Sequence, residues 1–365
     1  MTTFMRSLAR LGVLTLVLAC GSETTEPTTT SPIEVVHMQG LVGFEAQLDS
    51  LRVDLQIPGL GAAIAKDGAI VWSMGFGYAD AVAERPATPT TPFHLASLTK
   101  PFAATILMQL VEAGAVDLDD PVTDYGVNLE ANGIIRVRHL LNHTSEGVPG
   151  SEYSYNGGRF AELDRVIYGA SGRTFGELLV EEILQPLQLN HTAPNPRNGA
   201  FYLTGLDRDA FMAEMAAGYD LRDSRLYPMG HSAYFGSAAG LVASAEDVAT
   251  FSLAIDAGAF LEPATWDSVF TPAVSNTGET LAYGLGWFIQ YYEGAKLEWH
   301  YGYWDTNSSL IVRAPEKGLT YVVLGNTNML SRPYGLGLDN NVMRSDVARL
   351  FVAAFVLGDE PLPGG

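Results

Sequence analysis

The stretch FHLASLTKPF, residues 93–102, sets Ser97 three residues before Lys100 at the head of a long apolar run. Ser97 reads as the start of a helix through Glu112. Positions i and i+3 of a helix share a face, so the Lys100 amine can reach the Ser97 hydroxyl. Pro101 fits only if Ser97 lies within the first turn, where proline is tolerated. A serine hydroxyl is a poor nucleophile at neutral pH and needs an adjacent base. A lysine partly stripped of water can lose its proton and serve as one. A helix start also presents free backbone N–H groups and positive potential to an oxyanion. The spacing alone carries little weight. The chain has four lysines, Lys66, Lys100, Lys296 and Lys317, and one of them would follow a serine at this distance by chance roughly one time in four. An N-cap serine beside a solvated lysine explains the pair equally well.

Outward from this stretch, strands lie toward both ends of the chain. GLGAAIA and AIVWSMGFG flank Lys66-Asp67-Gly68 and read as a β-hairpin with a tight turn. Residues 283–292 (YGLGWFIQYY), 296–303 (KLEWHYGY), 307–314 (NSSLIVRA) and 319–327 (LTYVVLGNT) read as four more strands, with Glu293-Gly294 and Pro315–Gly318 as turns. Helices stand outside these runs. Residues 37–56 are amphipathic through Leu41, Phe44, Leu48, Leu51 and Leu55, and a second periodic segment covers about 340–357. Between them, about 97–265 reads mainly as helices and loops. The pattern predicts an α+β fold: an antiparallel sheet built from both termini, flanked by the terminal helices, with a mainly helical subdomain inserted. A cleft between the two parts is the natural site.

The chain has 365 residues, 47% of them hydrophobic and 17% charged, enough to bury a large core. Its formal net charge of -20 disfavours nucleic acid as a partner. There is one cysteine, Cys20, so no intrachain disulfide can form. Arg6 and Arg10 precede a short apolar run, Leu11–Ala19, which is too short to span a bilayer. The sequence Val17-Leu18-Ala19-Cys20 resembles the lipobox of bacterial lipoproteins, although Leu18 stands where a smaller residue is commoner. The expectation is an export signal over 1–19, lipidation of Cys20, a Ser/Thr/Pro-rich tether over 20–36 and a single folded domain over 37–365. The protein would then be exported and touch a membrane only through its lipid.

Several segments in order resemble the β-lactamase-related serine hydrolases, a family that includes class C β-lactamases, D,D-peptidases, D-aminopeptidases and carboxylesterases. They are IPGLGAAIAKDGAIVWSMGFGYAD, FHLASLTKPF, DLDDPVTDY, IRVRHLLNHTSEGVPG, SEYSYNGGRF, GSAAGLVASAEDVATF and WHYGYWDTNSSLIVRAPEKGLTYVVLGNT. Together they span most of residues 40–327. The resemblance implies a β-lactamase/transpeptidase-like fold and three motifs. Ser97 and Lys100 form the first. The second is usually Tyr-x-Asn. Counting back from Ser171-Gly172 puts its tyrosine at Tyr155, with Gly157 in place of the Asn; Tyr153 is the other candidate. The third is usually Lys-Thr-Gly and here is His300-Tyr301-Gly302. The resemblance further implies that Tyr155, as a phenolate beside Lys100, relays a proton. It implies that Gly302 lets substrate lie along a strand edge, and that the backbone N–H groups of Ser97 and Tyr303 hold the oxyanion. His300 would contact substrate by a hydrogen bond.

Losing the Asn removes an amide that in this family meets an acylamino group, and losing the Lys removes a permanent cation for a substrate carboxylate. Both changes favour small ester, amide or D-amino-acid peptide substrates over β-lactams. No metal or cofactor is required. His139 and His143 have the spacing of a zinc pair, but no Glu follows His139 and no third ligand is evident. Gly230-His231-Ser232-Ala233-Tyr234 lacks the second glycine of a nucleophile elbow. The rival to a hydrolase is a non-catalytic surface lipoprotein that binds cell-wall peptides or sugars on the same fold.

Overall fold

Strands from both ends of the chain meet in one sheet because the apolar residues of each must be covered on two faces. A computed structural model describes residues 40–358 and 360–362, and these lie within one compact unit, His37–Gly365. The proposed leader, Cys20 and the tether fall outside the described residues. In chain order the strands are β1 (Gly59–Lys66), β2 (Ala69–Asp80), β3 (Arg85–Pro86), β4 (Phe93–His94), β5 (Ala193–Pro194), β6 (Tyr219–Arg222), β7 (Arg225–Pro228), β8 (Leu241–Ala243), β9 (Phe288–Tyr292), β10 (Ala295–Trp304), β11 (Asn307–Ala314) and β12 (Leu319–Gly325). Seven of them form the main sheet, in the order β3-β2-β1-β12-β11-β10-β9. Every pairing in it is antiparallel, with Ala62 opposite Val323 and Gly302 opposite Ser309.

Alternation along the strands splits the core in two. Ala63, Ala65, Ile311, Val322 and Leu324 pack under the inserted subdomain. Ala62, Ile64, Leu310, Val312, Tyr321 and Val323 pack under the terminal helices. With both faces covered, β11 and β12 are buried along their whole length. The N-terminal helix α1 (Gly40–Asp54) sets Phe44 edge-on to Tyr321 at 5.8 Å and to Phe355 at 5.0 Å. Phe355 follows the helix Asp346–Phe351, so the two ends of the domain share one aromatic contact. On the other face, α2 (Lys100–Glu112) stacks Phe102 on Phe251 of the helix Ala245–Asp256, 3.9 Å between ring centres. No helix among the described residues is long and apolar enough to cross a membrane.

The structure amends the sequence reading in three places. Beside its helices and loops the inserted part holds the hairpin β6–β7 and the short strands β5 and β8, which form a three-stranded sheet with β4 from just before it. Strands of two to four residues leave too little periodicity to read. The strand expected from Tyr283 begins only at Phe288, because Gly284 turns back to bond Trp287 and Gly286 takes φ +85° against Ala104. The C-terminal helix starts at Asp346 rather than near residue 340, where Asn340 is left-handed and Val342–Arg344 forms a short 3₁₀ turn.

The site depends on how closely β10 approaches the turn before α2. A side chain at Gly302 would point straight at the Leu95 carbonyl oxygen, 2.0 Å from the added Cβ, and at the Ser309 hydroxyl, 2.3 Å away. Ser309 Oγ already donates to that same Leu95 oxygen at 2.7 Å. The bareness of Gly302 therefore admits the protein's own backbone. Gly302→Ala should lower stability by about 1–3 kcal/mol as the strand and turn are forced apart. Urea denaturation reads this, and unchanged stability would contradict the contact.

Candidate active site

The chain leaves β4, pairs Leu95 N–H to Leu241 O at 2.8 Å, and turns abruptly at Ala96, whose φ is +50°. A left-handed alanine costs roughly 1–3 kcal/mol and persists only where its surroundings enforce it. Here the Ala96 N–H donates to His94 Nδ1 at 3.2 Å, and its carbonyl accepts from Thr99 Oγ1 at 2.8 Å. The 3₁₀ turn Ala96–Thr99 then runs directly into α2, with Pro101 in its first turn as the sequence requires. Ser97 is half-buried at this junction.

Lys100 is fully buried. Its Nζ lies 2.9 Å from Ser97 Oγ and donates to the carbonyl of Ala238 at 2.8 Å. Among the described residues no carboxylate pairs with it, and burial pushes its pKa down from 10.5 to about 7. At neutral pH a large fraction is therefore a free amine. One N–H is committed to Ala238, which leaves a lone pair for the serine proton. Ala238 is held from behind. The next residue back, Ser237, donates its N–H to Asp164 Oδ1 at 2.8 Å, and Asp164 belongs to the helix Leu163–Ser171. Burial raises the Asp164 carboxyl, and the two Ser237 hydrogen bonds oppose that rise.

Tyr155, not Tyr153, borders the Ser97–Lys100 pair. The Lys100 amine sits over its ring, 5.1 Å from the centre, and also 5.3 Å from that of Phe160. Tyr153 lies farther along, tilted 5.8 Å from Tyr283. Burial holds the Tyr155 phenol well above 10; the Ser97 hydroxyl opposes this in part, although Tyr155 Oη makes no hydrogen bond of ordinary geometry. Burial thus favours the neutral phenol over the phenolate that the resemblance implies.

His143 supports this wall. Its ring lies 4.2 Å from that of Tyr155, and its Nδ1 accepts the Asn156 N–H at 3.2 Å. Asn156 itself caps the helix Gly157–Ala161 through Arg159 N and donates to Glu146 at 2.5 Å, so both ends of its amide are engaged. Gly157 lies beside the amine; a Cβ there would be 3.9 Å from Lys100 Nζ.

His300 is fully buried on β10. Its Nδ1 is 2.7 Å from the Tyr301 carbonyl, which can only accept, so Nδ1 carries the proton. Nε2 then accepts from Tyr283 Oη at 3.0 Å. The ring is neutral, and burial followed by the nearby Lys100 holds its pKa well below 6.5. Both ring nitrogens are thus engaged within the protein. Tyr303 stands opposite Ser308, beyond the last β9–β10 pair at Phe288 and Trp299, so this end of β10 has one unpaired edge. Its side chain is 44% exposed.

The structure thus gathers Ser97, Lys100, Tyr155 and Gly157 around one amine, with the bare end of β10 alongside. The sequence reading missed Ala96, Ala238 and Asp164. Ala238 lies within the GSAAGLVASAEDVATF segment, but a backbone carbonyl leaves no signature in residue identity. Asp164 looks like any surface acid in a helix. Neither His139 nor His143 resembles a metal ligand, since the Nδ1 of each accepts a backbone N–H. Among the described residues no group of three or more His, Cys, Asp or Glu is placed to hold a metal ion.

The family model described as Beta-lactamase matches residues 44–338. The chain is 26% identical over 303 residues to penicillin-binding protein 4* of Bacillus subtilis, covering 72% of this chain and 66% of that protein. It is 25% identical over 338 residues to protein flp of Staphylococcus aureus, covering 78% and 63%. It therefore spans just under two thirds of the length of these relatives. In fold it is similar to the octameric penicillin-binding protein homologue from Pyrococcus abyssi, with TM-score 0.73 and 24% identity over 86% of this chain and 76% of that one. It is also similar to FmtA from Staphylococcus aureus, with TM-score 0.66 and 20% identity over 88% and 91%.

Because the Lys100 pKa falls on folding, the unfolded chain binds more protons between about pH 7 and 10, and stability must rise with pH across that window. Lys100→Met removes the titration. The stability of the native protein relative to this variant should grow by on the order of 3–5 kcal/mol from pH 7 to pH 10. Denaturant melts of both proteins at the two pH values measure it, and a constant difference would mean that Lys100 is an ordinary, hydrated lysine.

Proposed function

The chain belongs to the beta-lactamase family, and on that premise we propose that it is a serine hydrolase that forms an acyl-enzyme on Ser97 with ester or amide substrates. The observation that carries this reading is the buried Lys100 amine, without a carboxylate partner, 2.9 Å from Ser97 Oγ. A protein that only bound ligands would have no use for so costly an arrangement, and this weighs against the non-catalytic alternative.

In this mechanism neutral Lys100 takes the Ser97 proton as Oγ attacks the substrate carbonyl. The oxyanion is received by the backbone N–H groups of Ser97 and Tyr303. As the tetrahedral intermediate collapses, Tyr155 gives its O–H proton to the departing oxygen or nitrogen and is reprotonated from the Lys100 ammonium. Water then attacks the acyl ester, Lys100 accepts its proton, and Ser97 Oγ leaves with a proton returned through the same pair. One water is consumed; an acid and an alcohol or amine are released.

The surroundings bear on substrate class. His300 is neutral and occupied, and Gly157 offers no amide. A site so arranged suits substrates without a carboxylate at that position better than the carboxylates of β-lactams. Exported, tethered through residues 20–36 and anchored by lipid on Cys20, the domain would meet such substrates outside the cytoplasm.

Intact mass after incubation with a fluorophosphonate, and separately with benzylpenicillin, tests the nucleophile and the lactam question together. The native protein should gain the phosphonate mass and Ser97→Ala should not; benzylpenicillin should leave both unchanged. Ester hydrolysis should vanish in Ser97→Ala, and in the native protein kcat/KM should rise with pH through a limb near 7 as Lys100 loses its proton. Retained hydrolysis in Ser97→Ala would refute the assignment, and a flat profile between pH 6 and 8 would remove Lys100 as the base.

A further inference from the structure

A cavity of about 970 Å³ shares no lining residue with the Ser97 site. Its size stands at the top of the range of roughly 300–1,000 Å³ common for small-molecule sites. One wall carries Arg136, Arg138 and His139, from the helix Val137–Leu141 and the residue before it. The other carries Asp267, from the end of the helix Pro263–Val269. Backbone joins the two walls. Thr144 N–H donates to His139 O at 2.9 Å, Gly150 N–H to Thr144 O at 2.8 Å, and Asn276 N–H to Gly150 O at 2.8 Å. The Asn276 side chain adds a bond to Pro149 O at 2.9 Å. Ile134 and Val274, 61% and 64% exposed, give the lining apolar surface that no other part of the fold covers.

The charges on the two walls are opposite and do not meet. His139 Nδ1 accepts the Arg136 N–H at 3.1 Å, so Nε2 carries the ring proton. Burial first, then the charges of Arg138 and Arg136, lowers this imidazole to about 4, so it is a neutral donor beside two guanidinium groups. Arg138 is partly neutralised: its Nη2 meets the Asp119 carboxylate at 2.7 Å, while its Nε is shielded from solvent without a hydrogen-bond partner. Arg136 gives an N–H to the Asp119 backbone carbonyl and pairs with no carboxylate among the described residues. Across the cavity, the Ser268 and Thr271 hydroxyls donate back to Ala264 O at 2.9 Å and Asp267 O at 2.6 Å. That leaves the exposed Asp267 carboxylate, which pairs with no cation among the described residues, as the charge of this wall.

We propose that this cavity is a second ligand site, which binds a short zwitterionic peptide with its carboxylate on Arg136 and His139 Nε2–H and its ammonium on Asp267. A guanidinium fork receives a carboxylate through two parallel hydrogen bonds, and the imidazole N–H adds a donor without a further charge. A plain anion would leave Asp267 unanswered, and a plain cation would face two arginines; a ligand with both charges complements both walls. The apolar surface of Ile134 and Val274 suits side chains between the two termini. The site is independent of the hydrolase reading, since none of Ser97, Lys100 and Tyr155 lines it.

The probe is the dipeptide alanyl-leucine, titrated calorimetrically into the native protein, into Ser97→Ala, and into native protein carrying a fluorophosphonate on Ser97. All three should bind it alike. Its C-terminal amide and its N-acetyl form should each bind at least about tenfold more weakly, because each loses one charge-assisted contact. Arg136→Gln should erase the preference for the free carboxylate and keep that for the free amine; Asp267→Asn should do the opposite. A misfolded variant would lose both preferences together, and the exposed position of Asp267 makes Asp267→Asn the safer of the two. Three outcomes overturn the site: no binding to the native protein, equal binding of free and blocked peptides, or preferences that neither variant changes. Binding that disappears once Ser97 is labelled would put the peptide at the serine and overturn it equally. Failure of the label, with peptide binding intact and sensitive to Asp267→Asn, would sink the hydrolase reading and keep this site.

Discussion

One buried amine governs the arrangement. Lys100 is fully buried and, among the described residues, has no counter-charge; Ser97 Oγ and the Ala238 carbonyl are its hydrogen-bond partners there. Moving its pKa from 10.5 to about 7 represents about 5 kcal/mol that the rest of the fold must offset. Against a net stability of about 5–15 kcal/mol for a typical domain, that is a large local debit. It is tolerable because the hydrophobic layers on both faces of the sheet are extensive, and because the groups around the amine are fixed before any substrate arrives. The left-handed Ala96 adds a smaller cost of the same kind at the same place.

Three pieces of backbone fix the amine. The Leu95–Ser97 turn is clamped between β8 and β11, through Leu95 N–H to Leu241 O on one side and Ser309 Oγ to Leu95 O on the other. The Gly236–Gly240 loop is pinned to Asp164 and brings in Ala238 O. The Tyr155 loop rests on His143, itself at φ +56°. Each comes from a different part of the chain, and the main sheet meets the first through Ser309 and the third through the rings of Phe288 and Tyr301. The sheet therefore backs two of the three pieces, and the loop that brings in Ala238 is held by the inserted subdomain.

This division explains what was legible in the sequence. The long strands and the terminal helices could be read because their burial is periodic and extends over many residues. The Ser97–Lys100 pair was visible but weak by spacing alone; the ordered run of other segments gave it meaning. Tyr155 could be favoured over Tyr153 only by counting from Ser171-Gly172, whereas packing against Lys100 separates them physically. The short strands β4, β5 and β8 were lost because two or three residues carry no period. What Gly302 makes room for in the fold could not be read from the sequence, since the atom belongs to Leu95, 207 residues upstream in sequence numbering. Asp164 and Ala238 were illegible because one acts through a loop N–H and the other through its carbonyl.

The change from lysine to His300 in the third motif has an electrostatic consequence beyond substrate contact. Lys100, His143 and His300 are all buried, and the charge of Lys100 is felt at both histidines. A site this dry can hold one positive charge more easily than two. A permanent cation at position 300 would compete with Lys100 for that allowance and push the amine lower still. With His300 neutral, locked between the Tyr301 carbonyl and the Tyr283 hydroxyl, burial alone sets the amine near 7. In the mechanism proposed for this site, an amine near 7 suits a base that must take a proton from serine and return it in the next step. On that reading, a histidine that adds no charge is what leaves Lys100 able to serve both halves of the reaction.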